Sequence, residues 1–352
     1  MKEFWSGRIR AATPYVPGEQ PREEGLIKLN TNECPYPPSP KALEAIRQAA
    51  GEGLRRYPDP ECLGLRQAIA WREGLRPEQV FCSNGSDEAL AFAFQAFFDP
   101  EREVVFPRVT YSFYPVYTRY FGLRCRQVPM NPDFSTPVEA LLGNNGGVVL
   151  CNPNAPTGIA VGLDVVERLL QANPDVVVIV DEAYVDFGAD SAVPLIGRYP
   201  NLLVVQTASK SRALAGLRVG WAMGSENLIA ALRCVRDSIN SYPVDRIAQA
   251  GAQAAVEDEA YFQELCRKVS ATRDWAARAL REMGFIVLES KTNFLFLSRP
   301  GWTGKALLDG LRSRGILVRW WSDPSIADWL RVTVGTDEEM QALLRAMAEL
   351  VG

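Results

Sequence analysis

One lysine in this chain stands alone. Only seven of the 38 basic residues are lysines, and Lys210 is the only one between positions 42 and 267. It lies in "QTASKSRALAGLRVG" (206–220), with Ser209 before it and Arg218 eight positions on. A lysine amine can lose its proton and attack a carbonyl to form a Schiff base; a guanidinium cannot. The ordinary alternative is a solvated surface lysine. A chain that uses arginine almost everywhere for positive charge argues instead for a lysine kept for its free amine. The apolar run before it reads as a buried strand, so Lys210 stands at a strand's carboxyl end, where open α/β sheets bind ligands.

Three other stretches carry complementary chemistry. "VVVIVDEAYVDF" closes an apolar run on Asp181, followed by Glu182 and Tyr184. The same pattern suits the magnesium strand of a P-loop ATPase. That reading needs GxxxxGK[ST], and "GWTGKALL" has the wrong spacing and Ala306 in place of the hydroxyl. "SNGSDEALAFAF" runs a strand into Gly85, Ser86 and Asp87 and then an apolar helix. Small residues there aim backbone N–H groups at an anion, with the helix dipole adding attraction; the bland reading is a side-chain cap. "CNPNAPTG" follows another buried strand and fixes a turn at the same edge. One ligand uses all four. Pyridoxal phosphate needs a lysine for its aldehyde, a carboxylate for its ring nitrogen, an anion nest for its phosphate and an aromatic face on its ring. Lys210, Asp181, the Gly85–Asp87 turn with Arg218, and Tyr111 of "PRVTYSFYPVY" supply them. The chain has no histidine, which excludes Ser-His and Cys-His nucleophile pairs and histidine metal sites. A lysine released from the cofactor can carry the protons instead.

The elements that must position these groups follow from hydrophobic pattern. Near-continuous apolar runs such as "DVVVIVDE" and "GGVVLCN" predict strands buried on both faces, hence an α/β fold with a mostly parallel sheet flanked by helices. Strands are expected at 26–30, 80–83, 103–107, 148–151, 176–180 and 202–206. Helices are expected from Pro40 and over 61–74, 86–98, 112–121, 162–172 and 226–237. From about 257 the texture changes. A long charged helix (257–283) precedes "FIVLES", "NFLFLS", "ILVRWW" and "LRVTVG", with helices at 303–314 and 337–351, as in a smaller α+β unit. The expected division is a large cofactor-binding domain, 41–256, and a small domain from both chain ends, 1–40 plus 257–352. Net charge is -4 and no apolar run reaches 18 residues, so neither nucleic acid nor a membrane is an expected partner. Seven dispersed cysteines without CxxC pairs fit a reducing cytoplasm rather than a disulfide framework.

The order GSD, VTY, NPNAPTG, DEAY, SKSxxLAGLRxG resembles the fold-type I aminotransferases. "ATPYVPG", "IKLNTNECPYPPSP", "RYPDPECLGLRQAIA", "YPVDRIAQA" and "LRVTVGT" narrow the resemblance to the histidinol-phosphate aminotransferases, over essentially the whole chain. The resemblance implies interconversion of histidinol phosphate and 2-oxoglutarate with imidazole-acetol phosphate and glutamate. Threonine-phosphate decarboxylase and aromatic amino acid aminotransferase are rivals on the same scaffold; a non-enzymatic ATP-binding module is the rival from another class. By resemblance Lys210 holds the cofactor and then acts as general base. Asp181 pairs with the pyridinium, Tyr184 approaches the cofactor O3′ and Tyr111 stacks on the ring. Ser86, Asp87, Ser209 and Arg218 hold the phosphate. Tyr57 reaches the phosphate in a second subunit, which implies a homodimer. Tyr15, Asn30, Arg319 and Arg331 bind substrate. Two arginines suit a phosphate dianion, each bonding it bidentately.

Three departures stand out. Where the resemblance calls for Asn before "PTG", bonding the cofactor O3′, this chain has Ala155, so Asn154 is the expected substitute. "NECP" puts Cys34 near the site mouth. "RWW" places Trp320 and Trp321 after Arg319, either packing the small domain or facing aromatic amino donors.

Overall fold

The computed structural model describes residues 4–352 apart from 22, 24 and 144. A seven-stranded sheet runs in the order Val80–Ser83, Gly220–Gly224, Leu202–Thr207, Val178–Asp181, Gly147–Cys151, Val104–Pro107, Cys125–Val128. Gly220–Gly224 is antiparallel to both its neighbours and the others run in one direction. Every residue of Val178–Asp181 and Leu202–Thr207 is buried, which is why 178–180 and 202–205 are unbroken apolar runs rather than alternating, with polar residues only at the carboxyl ends.

This topology gathers the chemistry at one edge. Ser83 and Thr207 both pair with Gly220, and Cys151 pairs with Asp181. The strand ends leading to Ser86, Ser209 and Lys210 therefore meet the turn carrying Arg218. Gly220 is required there: a Cβ would lie 2.3 Å from the Ser86 amide nitrogen.

The strands Gly220–Gly224 and Cys125–Val128 and the helix Arg246–Glu257 are not legible in the sequence pattern. "GWAMG" has glycine at both ends, and "CRQV" is a partly exposed edge strand. The helix buries Ala248, Gly251, Ala252 and Ala255, small residues that make no conspicuous stripe. A Cβ on Gly251 would come within 2.7 Å of the Ile46 side chain, so close helix approach, not bulk, defines that face.

A second, antiparallel sheet orders Arg319–Trp320, Trp329–Thr333, Phe294–Ser298, Ile286–Val287. "ILVRWW" is two strands, not one. Ile316–Leu317 pairs in parallel with Ile27–Lys28, and Arg319–Trp320 joins the antiparallel sheet. The N-terminal segment is thereby tied to the C-terminal unit. Helix Glu259–Glu282 sends Phe262, Leu265 and Val269 into the core beneath the large sheet, and Ala276, Ala277 and Leu280 into the core of the smaller one. Among the described residues no helix is long and apolar enough to cross a membrane. All seven cysteines are free thiols.

Candidate active site

A cavity of about 370 Å³ opens at the carboxyl edge of the large sheet, against the smaller sheet and the N-terminal segment. Tyr15, Asn30, Ser86, Asp87, Tyr111, Asp181, Tyr184, Ser209, Lys210, Arg218, Arg319 and Arg331 all line it. Residues separated by up to some three hundred positions thus share one chamber.

Lys210 is the one lysine of that lining. Its Nζ donates to the Thr31 carbonyl at 3.3 Å and lies 5.8 Å from the centre of the Tyr184 ring. Burial, with the Arg331 charge nearby, pulls its amine down to about 8. A fraction of it is therefore unprotonated, and nucleophilic, near neutral pH. Asp181 sits at its strand's end with the Tyr114 hydroxyl donating to Oδ2 at 2.7 Å and the Ala183 amide to Oδ1 at 3.2 Å. Burial lifts its carboxyl to about 6 in spite of those two donors. Burial likewise raises the Tyr184 phenol to about 12, so it stays a hydroxyl donor.

At the other end of the cavity the helix Ser86–Phe97 begins at Gly85 with no side-chain cap. The capping alternative fails, and the first turn of the helix is open to an anion. Gly85 has φ +82°, and a Cβ on it would lie 2.5 Å from Arg218 Nη2, so only glycine lets the guanidinium close over the turn. Arg218 Nη1 reaches the Ser209 hydroxyl and Nη2 reaches Asp87, both at 3.5 Å. Asp87 also accepts from the Tyr111 hydroxyl at 2.7 Å. Its carboxylate is committed to orienting Arg218 and Tyr111.

Arg319 and Arg331 are direct cross-strand partners, so both point to the same face of the small sheet. Arg319 donates to the Val16 and Pro17 carbonyls (3.1 and 3.3 Å), Arg331 to the Asn30 carbonyl (2.9 Å). Trp321 lies against both guanidinium groups, 5.5 and 5.3 Å from ring centre to Cζ. Trp320 instead donates to the Ala327 carbonyl and packs in the small core. The tryptophan pair divides into one ring in the small core and one against the two arginines, lining a neighbouring cavity.

Three expected residues are absent from the lining: Gly85, which precedes Ser86 at the helix start, Asn154 and Tyr57. Asn154 is buried with its amide donating to the Val109 carbonyl and the Thr157 hydroxyl, and it is absent from the cavity lining. The expectation that it replaces the missing asparagine is corrected: the distant Val109 carbonyl and the Thr157 hydroxyl of the turn claim its amide. Ala155 lines a neighbouring cavity with Thr110 and Trp321. Tyr57 is 78% exposed and stacks on Tyr242, away from its own chain's cavity.

Sequence reasoning missed Asn32 and Tyr114. Tyr114 opens the helix Tyr114–Phe121 just after Tyr111, against whose ring it packs, and the cluster of aromatic residues in "TYSFY" was the available signal. Asn32 carried none, because its contacts come from residues about 150 to 300 positions away.

The family described as aminotransferase class I and II matches residues 24–347. The histidinol-phosphate aminotransferase of Acetobacter pasteurianus is 55% identical over 351 residues, covering 100% of this chain and 99% of that protein. That of Acinetobacter baumannii (strain SDF) is 52% identical over 349 residues, covering 98% and 97%. The crystal structure of histidinol-phosphate aminotransferase from Sinorhizobium meliloti in complex with pyridoxal-5'-phosphate superposes with a TM-score of 0.90 at 28% identity, covering 100% of this chain and 98% of that one. The architecture is that of the fold-type I transferases, and the chain belongs to the class I and II aminotransferase family, on the branch of these histidinol-phosphate aminotransferases.

Proposed function

We infer that the chain transaminates histidinol phosphate with 2-oxoglutarate, forming imidazole-acetol phosphate and glutamate in histidine biosynthesis, with pyridoxal 5'-phosphate as cofactor. The observation that carries the reading is one cavity holding a part-deprotonated lysine, a buried carboxylate, an uncapped helix start under an arginine, and a facing pair of arginines.

The residues fit the cofactor. The Gly85 turn closed by Arg218, with Ser86 and Ser209, is a phosphate cradle that a Cβ would fill. Bound there, pyridoxal phosphate supplies an electron sink that acidifies the α-proton of the amino substrate. Lys210 would be the attachment amine, and its free Nζ would be the group that takes that proton and returns it. Ionised Asp181 favours a protonated ring nitrogen, and that positive partner offsets the cost of burying the carboxylate. Tyr111 offers its ring face and Tyr184 its hydroxyl. Arg319 and Arg331 hold the substrate anion, with Tyr15 and Asn30 beside them. Two guanidinium groups match a phosphate dianion, and one suffices for the carboxylate of glutamate.

The purified protein, assayed against histidinol phosphate, threonine phosphate and phenylalanine, tests this reading. Preference for threonine phosphate with release of CO2 would replace it by a decarboxylase. Trp321 against both arginines favours one second reading, an aromatic aminotransferase, and preference for phenylalanine would establish that instead.

The same reading makes the protein a cytoplasmic homodimer, divided into a large domain, 41–256, and a small one, 1–40 plus 257–352. The exposed Tyr57–Tyr242 stack supports a second copy placed so that Tyr57 reaches its partner's phosphate cradle. Mixing Tyr57→Phe with Lys210→Ala subunits gives hybrids in which one site has both good residues and the other neither. An active monomer in sedimentation would rule out the cross-subunit role.

A further inference from the structure

Asn32 is 1% exposed, yet it lines the cavity. Its backbone adopts φ 55°, the left-handed region that asparagine tolerates better than other side-chain-bearing residues. Contacts from the C-terminal part of the chain hold it there. The Asn32 amide donates to the Thr333 hydroxyl (2.9 Å), the Thr333 hydroxyl donates to Asn32 Oδ1 (3.2 Å), and Asn293 Nδ2 donates to the Asn32 carbonyl (3.0 Å). One polar group remains, the Asn32 Nδ2, and it donates to the Tyr184 hydroxyl at 2.9 Å.

Ala155 has no side-chain donor to offer the cofactor O3′, and the Asn154 amide is engaged elsewhere. We propose that Asn32 is the positioning residue for Tyr184: by donating to the phenol oxygen it aims the Tyr184 proton into the cavity and makes this tyrosine the hydroxyl donor to the cofactor's phenolic oxygen. This rests on the cofactor reading above. A phenol that accepts a hydrogen bond is a stronger donor through its own O–H. The charged or titratable groups facing Tyr184 are Arg331, Asp181, Cys151, Tyr111 and, over its ring, Lys210. None of them occupies the place of the Asn32 amide.

The experiment is a pH titration of the visible absorption band of the reconstituted holoenzyme, with thermal midpoints measured alongside. A weaker donor leaves the phenolic oxygen freer to hold a proton shared with the lysine nitrogen. The band's midpoint in Asn32→Ala is therefore expected to rise by roughly one pH unit, the equivalent of one ordinary hydrogen bond. Asn32→Asp keeps the shape and the Thr333 contact but turns the donor into an acceptor, so it is expected to shift the midpoint the same way. That variant keeps the proposal testable if Asn32→Ala folds poorly. An unchanged midpoint in a folded variant, with only the thermal midpoint lowered, would overturn the proposal and leave Asn32 a structural residue. Absence of any visible band in the unsubstituted protein would overturn the cofactor reading and this proposal with it.

Discussion

Arg319 and Arg331 lie directly opposite each other on adjacent antiparallel strands. Like charges facing across a ladder are destabilising. Their guanidinium groups are held by backbone carbonyls and flank the Trp321 ring, with no carboxylate in ion-pair contact among the described residues. A site built this way is charged in readiness for an anion.

Arg319→Ala is therefore expected to lower kcat/KM for histidinol phosphate by about 10- to 150-fold, the worth of hydrogen bonds to a charged group. The glutamate half-reaction, followed by single-turnover absorbance, should lose less, and Arg331→Ala should damage both. Inorganic phosphate should raise the thermal midpoint of the parent more than that of Arg319→Ala. Equal losses in both half-reactions would show that Arg319 does not distinguish phosphate.

Asp181 predicts a trade between stability and chemistry. Its folded pKa, about 6, stands above the ordinary value of 3.8. Its contribution to stability is therefore intact below the ordinary value and lost as pH rises through about 6. In cofactor-free protein Asp181→Asn should gain on the parent as pH rises from 4 to 8, on the order of 1–3 kcal/mol at the upper end, less the loss of one of the Tyr114 and Ala183 hydrogen bonds. Thermal midpoints at the two ends of that range measure it, while turnover in the loaded enzyme should fall steeply. A gain that does not grow with pH would mean that the carboxylate is not strained by burial.

Lys210→Arg keeps the positive charge and should abolish turnover, because a guanidinium neither condenses with an aldehyde nor releases a proton near neutrality. Borohydride should fix the cofactor on the parent, and peptide mapping should place it on Lys210. Recovery of the label on Lys28, Lys291 or another lysine would remove Lys210 from its role.

Gly85→Ala tests the phosphate cradle. The backbone there, φ 82° and ψ 159°, is open essentially only to glycine, and a Cβ would meet Arg218 at 2.5 Å. A cost of about 1–3 kcal/mol should appear chiefly as weaker cofactor binding, roughly tenfold or more, in an equilibrium titration of the cofactor-free protein. Undiminished affinity would place the phosphate elsewhere.

The chemistry at the sheet edge was legible because each piece is local. Asp181 closes, and Lys210 follows by a few residues, an apolar run of the kind that a strand buried on both faces makes, and glycine at position 85 announces a turn. The rarity of lysine in an arginine-rich chain singled out the nucleophile. What the chain could not show was pairing. Alternation in "ILVRWW" and "LRVTVG" left either face open to Arg319 and Arg331, and register alone put both on the cavity side. "NPNAPTG" offered Asn154 as the spare amide, but Val109 and Thr157 engage it, and the amide that reaches Tyr184 is that of Asn32. Strands such as Gly220–Gly224 are held by neighbours on both sides rather than by propensity. Local pattern records which backbone a residue prefers; the partner of a buried polar group is fixed by contacts from distant parts of the chain, which only the assembled sheets bring within hydrogen-bonding distance.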